Sequence, residues 1–165
     1  MFNLIISIIA IALVVVLAGA SLYYGGDAFN KGSEEARAST FINQAQQIQA
    51  AATLFKASNG AVPTMTDLKD GYLAGEPKLA AGKDTEVWGV DTTSKAVFVK
   101  QAIAQSTADG ITKGICDTIN KNGSGVVFCV KAADVAAAVA AVDALTAGEL
   151  PDVTGAVDVV TLMKL

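Results

Sequence analysis

The first 26 positions of this chain hold 20 apolar residues and no charged one, and a periodic pattern follows them. From Phe2-Asn3-Leu4 to Tyr23-Tyr24, polar side chains interrupt the run only at Asn3, Ser7 and Ser21. As a helix rising about 1.5 Å per residue, this stretch reaches about 34 Å, enough to cross a hydrocarbon core. Downstream, Phe41, Ala45, Ile48, Ala52 and Phe55 recur at steps of four and three, the spacing of one helix face. Glu34, Glu35, Arg37, Asn43, Gln44, Gln47 and Lys56 are expected on the opposite, solvated side, and Asn59-Gly60 supplies a stop. The pattern predicts one long helix that begins in the apolar stretch and continues over residues 28–58. Its soft points are Gly19, Gly25 and Gly26, because glycine weakens a helix by about 1 kcal/mol relative to alanine.

After Gly60 the pattern shortens. Ala61-Val62-Pro63-Thr64 reads as extended, since the residue before proline avoids the helical region. Thr66 to Leu73 reads as a short helix or turn closed by Gly71, and Glu76-Pro77 through Gly82-Lys83-Asp84 as a polar loop. Strands are expected at 86–90 and 95–100, joined by the turn Asp91-Thr92-Thr93-Ser94. A helix is expected over 106–119, then a turn cluster at Asn120-Lys121-Asn122-Gly123-Ser124-Gly125 and a strand at 126–130. The alanine-rich run 132–147, with Val135, Val139, Val142 and Leu145 at helical steps, predicts a further helix, and the tail has strand character over 156–162. The class is therefore α+β: a long N-terminal helix, apolar and then amphipathic, packed on a small antiparallel sheet.

Composition sharpens this outline. The chain has 165 residues, 52% apolar and 17% charged, and every Lys, Arg, Asp and Glu lies beyond position 26. The mean hydropathy of +0.46 averages two unlike parts. These are an apolar segment at 1–26 and one globular domain at 27–165, of ordinary single-domain size. The absence of histidine excludes a His-based triad, a His zinc site and a histidine pH switch. A net charge of −4 gives no electrostatic basis for gripping a phosphate backbone, so no nucleic-acid binding is expected.

No constellation for chemistry emerges either. Asp67 and Asp70 share a spacing but read as solvated carboxylates, and Gly82-Lys83-Asp84 lacks the pattern of a phosphate loop. Asn122-Gly123-Ser124 fits the glycosylation pattern, and equally a tight turn. The expectation is a protein without catalysis, cofactor or metal. Cys116 and Cys129 are the only cysteines, read either as two buried free thiols or as one disulfide, which an oxidising compartment would preserve.

The apolar segment admits three readings. The triplet Ala18-Gly19-Ala20 suits a signal-peptide cleavage site, although Met1-Phe2-Asn3 carries no Lys or Arg. Tyr23 and Tyr24 suit the interfacial belt of a membrane anchor. The third reading is a segment that sits in a membrane first and later forms the core of a polymer. Its assembly core would be Phe2, Leu4, Ile5, Ile6, Ile8, Ile9, Ile11, Leu13, Val14, Val15, Val16 and Leu17.

The combination resembles the type IV pilin family. The resemblance rests on the apolar start Met1-Phe2, its continuation into an amphipathic helix ending near Gly60, the Val62-Pro63 loop with Gly71-Tyr72-Leu73, and the C-terminal cysteine pair. The stretch from Asp109 to Cys116, followed by the strand with Cys129, is most similar to the type IVb group. The resemblance implies a structural subunit, held as a pool in the inner membrane and then built by a pilus assembly machinery into a helical homopolymer on the cell surface. It also implies that Cys116 and Cys129 frame a surface region near the C-terminus. The chain departs from the family at the fifth mature position, where a glutamate is usual and Ile5 or Ile6 stands here. The different-class alternative is a single-pass, membrane-anchored exported protein whose soluble domain binds a ligand or partner.

Overall fold

A computed structural model of the chain describes residues 2–79, 86–104, 111–123, 125–145, 150–151, 153 and 158–165, apart from the side chains of Tyr24 and Asp27. The elements run α1 (Phe2–Asn59), α2 (Met65–Lys69), β1 (Gly89–Asp91), β2 (Ala96–Ala102), α3 (Lys113–Asn122), β3 (Val127–Lys131), α4 (Val135–Asp143) and β4 (Asp158–Lys164). The chain divides into two compact units, Met1–Ser33 and Glu34–Leu165. The compositional change falls earlier, after Gly26.

In the first unit the backbone is helical throughout the described residues, and it passes Gly19, Gly25 and Gly26 without a break. The expected soft points therefore do not open in the single chain. Three glycines among good helix formers weaken a helix without removing any of its backbone hydrogen bonds.

In the second unit, α1 turns Phe41, Ala45, Ile48 and Ala52 into the core, as their spacing predicts, with Ala38 buried beside them and Phe55 half-buried. Phe41 meets Trp88 at 6.2 Å between ring centroids, and Phe55 meets Tyr72 edge-on at 5.4 Å. The helix ends where Gly60 takes φ 73°, a left-handed conformation that glycine adopts without penalty, and its N–H bonds the Lys56 carbonyl at 2.8 Å. A capping box then starts α2. The Asp67 N–H donates to the Thr64 hydroxyl, and the Asp67 carboxylate accepts from both the N–H and the O–H of Thr64, at 2.8 and 2.7 Å.

The sheet has the order β1-β2-β4-β3, with every neighbouring pair antiparallel. The C-terminal strand is thus central, and its residues from Val159 to Met163 are all buried. Alternation along it splits the core in two. Val159 and Met163 join Val97, Val99, Val127 and Cys129 on the face that packs with α1 and α3. Val160 and Leu162 join Val130, Ala132 and Ala138 on the opposite face, against α4. A strand covered on both faces needs a nearly continuous apolar run, which Val159-Val160-Thr161-Leu162-Met163 supplies.

Several boundaries differ from the sequence reading. The first strand is confined to Gly89–Asp91, and the hairpin turn moves one position on because Lys95 takes the left-handed conformation at φ 51°. Helix α3 starts at Lys113 rather than 106, since Thr112 is its N-cap and accepts from the Ile115 N–H at 3.2 Å. Before it, Ile111 bridges Ile103 in extended form, while positions 105–110 lie outside the described residues. Asn120, Lys121 and Asn122 belong to α3 and not to a turn, and the strand after them is Val127–Lys131. The alanine-rich helix is shorter than 132–147, because Asp134 caps it and helical geometry ends at Asp143. The second half of the 76–84 loop and the start of the predicted tail strand lie outside the described residues, and β4 runs Asp158–Lys164.

Two predictions come from these junctions. A Cβ at Gly123 would fall on the carbonyl oxygens of Val127 and Ile119, which are backbone and cannot swing aside. Gly123→Ala should therefore lower stability by about 1–3 kcal/mol in a denaturant titration. The hydrogen bonds from Thr64 hold the Asp67 carboxyl below its ordinary value of 3.8. A depressed native pKa contributes stability that is present above the unfolded value and lost as pH falls through the native one. Hydrogen-exchange protection of α2 should accordingly decline in acid below about pH 4 in the native chain and lose that pH dependence in Asp67→Asn.

Candidate functional site

Two places in the molecule bear on function: the side chains of the first unit, and the junction of α1, α3 and β3 in the second. In the first unit, the large apolar residues expected in an assembly core, from Phe2 and Leu4 through Ile5, Ile6, Ile8, Ile9, Ile11, Leu13, Val14, Val15 and Val16 to Leu17, are all 54–82% exposed. Leu22 and Tyr23 are exposed as well. Two of the three polar interruptions are neutralised locally. The Ser7 hydroxyl donates to the Asn3 carbonyl and the Ser21 hydroxyl to the Leu17 carbonyl, each at 2.9 Å. Such back-bonding leaves neither hydroxyl proton unpaired in an apolar medium. By length and composition, α1 is the one described helix able to cross a membrane.

The second unit is tied together by three polar contacts that the sequence reading did not find. Glu34, expected in solvent, accepts from the Thr112 hydroxyl at 2.8 Å. Its carboxylate lies where a Cβ on Gly114 would fall, so the glycine makes room for it over the first turn of α3. A carboxylate is favoured there by the unpaired N–H groups of a helix N-terminus. Gln44, also expected in solvent, accepts from the buried Trp88 indole N–H at 2.9 Å and donates to the Lys78 carbonyl. Neither contact leaves a trace in hydrophobic periodicity, because each depends on an element far away in the chain.

The third contact surrounds the cysteines. Cys116 and Cys129 are buried and disulfide-linked, 13 positions apart in sequence with Cα atoms 5.4 Å apart. Beside them the buried Asn120 carboxamide donates to the Cys129 carbonyl at 2.9 Å and accepts from the Cys129 N–H at 2.7 Å. Cys116 and Asn120 are four apart on α3, so one helix face delivers both to the same residue of β3. That spacing was the available signal, and the polar turn-like composition around Asn120 hid it. For the glycosylation pattern, Asn122 is exposed at the end of α3, whereas Ser124 lies outside the described residues.

Among the described residues no group of three or more His, Cys, Asp or Glu converges to hold a metal ion. Tyr23 is exposed, as an interfacial position requires; the Tyr24 side chain, Gly82, Lys83 and Asp84 lie outside the described residues.

Comparison with protein-family models, curated proteins and solved structures finds no match to this chain. The long N-terminal apolar helix and the small antiparallel sheet are compatible with a pilin-like fold.

The cysteine region yields two further predictions. Replacing both cysteines by serine should cost about 3 kcal/mol, the loop-closure contribution for a loop of this size, and unreduced peptide mapping should recover Cys116 joined to Cys129. Asn120→Ala would strand a buried N–H and a buried carbonyl, and should cost about 2 kcal/mol even with the disulfide intact, read by chemical denaturation.

Proposed function

We propose that this chain is a structural subunit of a helical cell-surface filament of the type IV pilus kind, built by packing of the apolar N-terminal helices of many copies. The observation that carries the reading is the exposure of every large apolar side chain from Phe2 to Leu17. Burying each is worth about 1.5–3 kcal/mol, so in water the segment has to find lipid or identical neighbours. An uncharged helix leaves lipid without stranding an ion, which suits a subunit that waits in the inner membrane and then enters a polymer.

In this reading the partners are other copies of the chain, the membrane that stores them and the machinery that assembles them. The role is structural, without catalysis, cofactor or metal. Residues 1–26 contain no glutamate, so contacts between neighbouring helices rest on apolar packing there. Gly19, Gly25 and Gly26 are the points at which the helix would unwind locally on assembly, each about 1 kcal/mol weaker than alanine. The competing reading, a single-pass anchor whose soluble domain binds a ligand or partner, draws on the same membrane-crossing length.

Negative-stain microscopy of sheared cell-surface material separates the two. Filaments labelled by an antibody to this chain are expected; recovery only as a detergent-solubilised monomer would overturn the filament and favour the anchor. A filament density map should show a gap in the helix near Gly25-Gly26, and unbroken helix from Phe2 to Ser58 would rule out the unwinding.

A further inference from the structure

All four glycines of α1, Gly19, Gly25, Gly26 and Gly32, lie before Glu34, and none occurs from there to Asn59. Among the described residues, a Cβ on any of the four would meet nothing within 4 Å beyond the local helix backbone, so no close approach calls for glycine there. What they change is the strength of the helix, which unwinds more easily where they stand. Side-chain burial changes at the same place. Ala28 to Ser33 are exposed, Glu34 is half-buried, and the buried Ala38 and Phe41 follow about one and two turns later.

We propose that Glu34, Thr112 and Gly114 form a clamp that stops unwinding of α1 from running into the folded domain. Unwinding that starts at a glycine proceeds along a helix until breaking a tertiary contact costs more than the freed residues gain in entropy. Glu34 supplies such a contact before the core begins. Its carboxylate accepts from the Thr112 hydroxyl at 2.8 Å, 78 positions away in sequence, and the same hydroxyl accepts from the Ile115 N–H at 3.2 Å. Releasing Glu34 therefore loosens the cap of α3 as well. Gly114 completes the device, since a side chain there would take the place of the carboxylate. Contact requires this glycine, as it does not require those of α1. A hydrogen bond to a carboxylate at a helix N-terminus is stronger than one between neutral groups, which suits a residue that holds a helix against fraying.

The clamp is a property of the single chain and goes beyond the filament reading, which it does not need. Within that reading it would confine the unwinding expected at Gly25-Gly26 to residues before Glu34. The test is hydrogen exchange followed by mass spectrometry on unassembled, full-length protein in detergent. Glu34→Ala should speed exchange over residues 35–41 about tenfold, while β4 and residues 45–55 keep their native rates. Gly114→Ala should do the same, because its methyl group displaces a flexible carboxylate and leaves the backbone in place. The double variant is the sharper comparison. With Glu34 already gone the methyl group has nothing to displace, so Gly114→Ala should add less than about twofold, where independent effects would multiply to about a hundredfold.

Unchanged exchange over 35–41 in either single variant, a multiplied effect in the double variant, or equal acceleration in β4 would overturn the clamp. Each of these results leaves the filament reading as it stands, and a failure to find filaments leaves the clamp as it stands.

Discussion

Because residues 2–26 carry no charge and the large apolar side chains described from Phe2 to Tyr23 are exposed, burial of this segment needs surroundings that are apolar too. The domain beyond carries all of the charge and few aromatics. Its own core is modest. Trp88, Phe41, Ile48 and a set of valines and isoleucines fill it, and covalent and polar ties supplement them.

Those ties follow from the path of the chain. The central strand of the sheet, β4, is the last element, so its two neighbours have no partner between them until the C-terminus is present. Long-range pairing of this kind comes late and closes large loops. The disulfide and Asn120 hold α3 to β3, and Glu34 holds α1 to the start of α3. They join the two helices to each other and to β3 through contacts that do not involve the final strand.

Hydrophobic periodicity revealed the long helix, its buried face, the β3 strand and the α+β class, because each rests on apolar spacing within one element. It did not mark the start of α3 at Lys113, where Thr112 is the N-cap. It also sent Glu34 and Gln44 to solvent and Asn120 to a turn. All three are polar residues whose positions depend on Thr112, Trp88 and Cys129, residues that no local window around them relates to their role. The apolar exposed surface was legible at once from the run of uncharged residues.

Asn120 has one more consequence. Its carboxamide occupies both the N–H and the carbonyl of Cys129, the groups through which β3, an outer strand, would accept another strand. An open strand edge is a template for sheet extension between molecules. At high local concentration of identical domains, such templating would compete with any ordered arrangement and lead to amyloid-like aggregation. With this site plugged by the chain's own amide, and with the opposite edge strand only three residues long, the sheet offers little open edge for extension by another strand.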